Sequence, residues 1–126
     1  MIKEVYCSFE VAKLLKEKGF DAQCRAAYTN YGQLFTTQIQ QYITNIVCSK
    51  SNLWKCIAPT HQMAMKWLRE VYGIDIVIEI SDPSVNDRKY YCVIWDKNND
   101  SHILDLFDSY EDAVEEAIKY CLENLI

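Results

Sequence analysis

Apolar positions along this chain keep two rhythms, one near 3.6 residues and one of two, and the changes between them mark its elements. Ala64, Trp67, Leu68 and Val71 recur at i, i+3, i+4 and i+7, one face of a helix over Thr60–Tyr72. Thr60 is placed to cap it, because a hydroxyl at that position accepts a hydrogen bond from an N–H the helix leaves unpaired. Gly73 supplies the positive φ that ends it. A first helix is read over Ser8–Lys18 from Val11, Ala12, Leu14 and Leu15, with Gly19 as its stop and Phe20 folding back on Leu15. A last helix starts at Ser109, with Ala113, Ala117 and Cys121 beside Val114, Ile118, Leu122 and Leu125. The three helix starts look alike, each a hydroxyl followed within four residues by alanine. Shared capping chemistry accounts for that without an internal repeat.

Between the helices the period drops to two. Gln23–Tyr28 and Gln33–Thr36 flank Asn30 and Gly32, a hairpin pattern. Leu53–Ile57 reads as a strand. Ile74, Ile76, Ile78 and Ile80 alternate with Asp75, Val77 and Glu79, a strand with one buried face. A turn centred on Asp82-Pro83 leads to Lys89–Asp96, a strand apolar on both faces, and a polar turn over Lys97–Ser101 leads to a third strand, His102–Phe107. Thr37–Asn52 is ambiguous. Ile39, Tyr42, Ile43, Ile46 and Val47 have helical spacing, yet their β-branched content fits a strand equally well. The expected fold is a single α+β domain over residues 1–126: an antiparallel sheet with two long helices on one face, and an N-terminal helix–hairpin segment. Residues 1–57 form the helix, hairpin and variable segment, and residues 58–126 the helix–three strands–helix part.

Composition adds limits. The chain has 126 residues, half of them apolar and a quarter charged, a globular balance. No stretch reaches the ~20 apolar residues of a membrane-spanning helix, so no membrane partner and a cytoplasmic location are expected. Six cysteines then serve as reduced, small apolar residues. Residues 1–59 hold seven Lys/Arg against four Asp/Glu, whereas residues 60–126 hold six against fourteen. The C-terminal half is therefore poorly suited to a phosphate backbone. Its helix–strand–strand–strand–helix order matches double-stranded-RNA-binding domains, but its last helix opens Ser109-Tyr-Glu-Asp112, where those domains carry basic residues.

Three stretches together, Ser8–Asp21, Ala58–Val71 and Tyr110–Leu125, resemble a family of small uncharacterised proteins common in gut anaerobic bacteria and in their phages and mobile elements. The resemblance implies a bacterial or phage cytosol and an accessory role, and it brings no activity, cofactor or catalytic residue with it.

The residues themselves carry no catalytic or metal signature, and neither a cofactor nor a metal is expected. Cys48, Cys56 and His61 are the nearest approach to a metal set, at spacings that match no common zinc pattern. A Cys56/His61 nucleophile pair is weaker still. His61 reads as a surface residue of a first helical turn, and His102 as a strand-edge residue near Asp100 and Asp105. The sharper signal is the two-sided strand. If Tyr90, Cys92 and Ile94 face the helices, then Tyr91, Val93 and Trp95 face the other way, with Val77 and Ile103 beside them. Either Phe20, Tyr28, Phe35 and the middle segment cover that face, or it is open to a protein partner or a second copy. The leading expectation is a non-enzymatic interaction or self-associating module. The alternative is a nucleic-acid-associated accessory protein using the more basic first half, through Lys13, Lys16, Lys18, Arg25, Lys50 and Lys55.

Overall fold

The computed structural model describes residues 2–37, 41–82 and 88–126. Among them the chain is α+β, with helices α1 (Phe9–Glu17), α2 (Asn45–Ser49), α3 (His61–Tyr72) and α4 (Tyr110–Asn124). The strands are β1 (Ala26–Thr29), β2 (Leu34–Thr36), β3 (Trp54–Ile57), β4 (Asp75–Ile80), β5 (Tyr90–Trp95) and β6 (Ser101–Phe107). The strands form two sheets, each three-stranded and antiparallel, ordered β2-β1-β3 and β4-β5-β6. In the first, β3 joins the two strands of the expected hairpin by pairing with β1 (Tyr28 opposite Cys56). The chain divides into two compact units, residues 1–63 and 64–126.

In the first unit Ser8 caps α1 by accepting the Val11 N–H at 3.2 Å. Gly19, at φ +94°, lets the chain reverse so that the Phe20 N–H reaches the Leu15 carbonyl at 2.9 Å. β1 is buried along its whole length, and α1 and α2 both pack on β3. The core joins Ala12, Ala26, Tyr28, Cys56 and Ala58, with Tyr6 and Phe9 partly buried against it. The described part of the segment 37–52 is mixed. Ile43 bridges Cys24, and only then does Thr44 cap the five-residue α2. Ile46 and Val47 are exposed, so their helical spacing does not mark a buried stripe. Ile39 and the turn beyond Asp82 fall outside the described residues.

Asn45 ties this unit together. Its buried side chain donates to the Phe20 carbonyl (2.6 Å) and accepts the Ile57 N–H (2.9 Å), while the Asp21 carboxylate accepts the Asn45 N–H (2.5 Å). One amide thus links the end of α1, the start of α2 and the end of β3, and leaves none of those buried backbone groups orphaned.

In the second unit α4 packs on all three strands. Ala113, Val114, Ala117, Ile118, Cys121 and Leu122 are fully buried along one stripe, and the two alanines let the helix approach closely. Ser109 caps α4 by accepting the Asp112 N–H at 3.0 Å. Cys92 and Ile94 of β5 are likewise fully buried on the side facing α4. α3 begins at the Thr60 cap, which accepts the Met63 N–H at 3.2 Å, and ends at Gly73 (φ +66°), where the Ile74 N–H reaches the Leu68 carbonyl.

Candidate functional site

Register places the two faces of β4-β5-β6. Val77 lies opposite Val93, and Val93 opposite Ile103, so these three form one row across the sheet. Trp95 lies opposite Asp75 and Ser101, and Tyr91 opposite Glu79. Because side chains alternate along a strand, this row projects away from the α4 side that buries Cys92 and Ile94. The five residues expected on an outer surface therefore do share one face. Val77 is 40% exposed, Trp95 43% and Ile103 62%. Within the first unit, the aromatic residues named as candidate cover have contacts of their own. Phe20 and Tyr28 are buried, Tyr28 in the first unit's own core with its hydroxyl donating to the Cys7 carbonyl at 2.6 Å, and Phe35 stacks edge-on with Trp54.

β6 adds a residue to this face that alternation alone does not foresee. Tyr90 pairs with Phe107 and Cys92 with Leu104, so Asp105 and Leu106 together stand opposite the single residue Tyr91. This bulge interrupts the period of two, leaving both Asp105 and Leu106 exposed while Leu104 and Phe107 remain partly buried. Leu106 extends the apolar surface next to Tyr91. Tyr91 is itself pinned, its hydroxyl donating to Glu79 at 2.5 Å across the strand pair, and this hydrogen bond raises the phenol's pKa. Asp75, Glu79 and Asp105 border the apolar row, the three strands themselves hold no Lys or Arg, and Lys89, which continues the ladder just before β5 on the side of Tyr91, has its ammonium paired with Asp108.

On the α4 side, His102 does not pair with Asp100 or Asp105. Its Nε2 lies 3.1 Å from the Asp96 carboxylate and its Nδ1 3.1 Å from the Tyr120 hydroxyl. An ionised carboxylate only accepts, so the neutral ring carries its proton on Nε2 and Tyr120 donates to Nδ1. Asp96 is oriented in turn by the N–H groups of Asn98 and Asp100, at 2.9 and 3.1 Å. Its carboxyl is held below the usual range, first by His102 and then by those amides. The chain Asp96–His102–Tyr120 fastens the β5–β6 turn to α4. Asp96 escaped the sequence reading because the turn that brings it back to His102 is defined only once the strands pair.

The other candidates disperse. Lys13, Lys16 and Lys55 line one shallow hollow with Glu17, and the Lys16 ammonium donates to the Lys55 carbonyl at 2.6 Å. Lys13 sits over the Phe9 ring. Arg25 is elsewhere, donating to the Tyr42 hydroxyl at 2.8 Å beside a cavity of about 230 Å³ that Glu4 also lines. Neither Lys18 nor Lys50 lines either hollow. No disulfide joins the six cysteines, all of which are buried. Burial pushes the Cys56 thiol up to about 11 and Cys24 to about 12, so neither is a thiolate nucleophile near neutral pH. His61 is 7% exposed rather than a surface residue, and its backbone N–H pairs with the Val5 carbonyl where the N-terminal segment bridges Thr60.

These features define an α+β chain with an exposed apolar sheet face bordered by acids. No protein-family model, no curated protein and no solved structure matches it. No described helix is long and apolar enough to cross a membrane.

Proposed function

We propose that this chain is a small protein-interaction module working through the outer face of β4-β5-β6. The observation that carries the reading is the register-paired row Val77–Val93–Ile103, in which exposed Val77 and Ile103 flank a half-buried Val93, together with exposed Trp95 and Leu106 on the side away from α4. A monomer seldom leaves such a contiguous surface open without a use for it, and aromatic side chains such as Tyr91 and Trp95 are the usual anchors of binding surfaces. In the same proposal α4 supplies the helix layer on the inner side of this sheet, which leaves the outer side to bind. A bacterial or phage cytoplasm and an accessory role complete the reading, on the strength of the three stretches that resemble small proteins from those sources.

Selection of displayed random peptides against the whole chain tests it. Peptides enriched on the wild type should fail to bind Trp95→Lys and Ile103→Lys variants that keep their circular dichroism spectrum. Enriched peptides that bind both variants as well as the wild type would place binding elsewhere and end the proposal.

A further inference from the structure

The charges around the apolar row say what kind of partner fits it, and this step rests on the interaction reading above. Two copies apposed about a twofold axis would bring Asp75, Glu79 and Asp105 of one face towards the same acids of the other. Residues 64–126 carry fourteen Asp/Glu against six Lys/Arg, so nothing in this unit's overall charge offsets that repulsion. Like charges at an interface rim suppress a pairing, whereas opposite charges speed and select it. A second copy is the wrong occupant.

The shape narrows the partner further. Strands lie about 4.8 Å apart, so the outer two of three are about 10 Å apart. An α-helix with its side chains is about 10–12 Å across, so one helix covers such a face. The inner face already shows this packing, with α4 alone touching all three strands. We propose that the outer face receives one amphipathic helix from a partner protein, with an apolar stripe on the Val77–Val93–Ile103 row and Lys or Arg along its flanks opposite Asp75, Glu79 and Asp105.

Two helical peptides of about 18 residues, roughly five turns, provide the probe. They share one leucine stripe and differ only in their flanks, which are all Lys in one and all Glu in the other. Each is titrated into the full chain at low salt, followed by tryptophan fluorescence, with Trp95→Phe identifying the signal that comes from this face. The Lys peptide should bind and the Glu peptide should bind at least about tenfold more weakly, the effect of a kcal/mol or two of rim electrostatics. The double variant Asp75→Lys/Glu79→Lys should reverse the preference. Glu111→Lys/Glu123→Lys, the same net change placed on α4, should leave it intact.

Equal binding of both peptides, or a preference that the α4 double variant also reverses, overturns the basic-helix inference. If Ile103→Lys abolishes that binding, the interaction face itself still stands. A dimer seen by light scattering and dissociated by Ile103→Lys overturns the inference in favour of a second copy. Failure of the Lys peptide to bind overturns it outright. Binding of either peptide that Ile103→Lys does not weaken removes both the inference and the reading beneath it.

Discussion

Two isoleucines on neighbouring strands separate a residue kept for binding from one kept for folding. Ile94 on β5 is fully buried, and Ile103 on β6 is 62% exposed on the opposite face. Replacing each by threonine keeps the β-branch and nearly the same strand preference, so the difference between the variants reports burial. Complete burial of an isoleucine side chain stabilises by about 1.5–3 kcal/mol. Ile103 realises little more than a third of that, so Ile103→Thr should cost about 0.5–1 kcal/mol. Ile94→Thr loses most of the transfer term and also buries a hydroxyl, for a total of about 2–5 kcal/mol. Urea denaturation followed by far-ultraviolet circular dichroism measures both. A cost for Ile103→Thr equal to that for Ile94→Thr would show that the outer face is held under cover in solution, and the reasoning from exposure would fall.

Asn45→Ala removes the acceptor of the buried Ile57 N–H and a donor to the Phe20 carbonyl at once, and should cost about 2–4 kcal/mol, whereas Ile46→Ala on the same short helix should stay within about 0.5 kcal/mol. Matching urea midpoints for the two variants would show that the Asn45 amide does not hold the first unit together. Asp96, with its carboxyl held below the usual range in the folded chain, contributes stability that is present above its unfolded pKa and is lost as pH falls through the folded value. The stability gap between wild type and Asp96→Asn should therefore be open at neutral pH and close as the pH drops below about 4; a gap that persists into strong acid would contradict the hydrogen-bonded role assigned to that carboxylate.

Elements with chemical punctuation were readable from the residues. Ser8, Thr60 and Ser109 do cap helices, and Gly19 and Gly73 do take positive φ at their ends, because capping is settled by one or two residues whatever the tertiary context. The alternation of β4 was readable for the same local reason. What escaped depends on partners distant in sequence. α2 has five residues, too few for a period to show, and it is fixed by Asp21 and Asn45 instead. The bulge at Asp105–Leu106 exists only relative to Tyr91, so no pattern within β6 announces it. His102 looked like an edge residue with acids nearby, and the acid it uses was fixed by the turn between β5 and β6. Hydrophobic spacing in β5 identified a two-sided strand, while its neighbours' register decided that Val77 and Ile103 complete the same row.

The bulge in β6 also bears on how the protein behaves when crowded. β6 borders its sheet, and the outer edge of a border strand is a row of backbone donors and acceptors that another chain can extend into a growing sheet. A bulge breaks the even spacing of that row and adds local twist, so an incoming strand finds no continuous template there. The extra residue that brings Leu106 to the surface thereby blunts the strand beside it, and a chain with an exposed apolar face gains some protection against assembling edge to edge into fibrous aggregates.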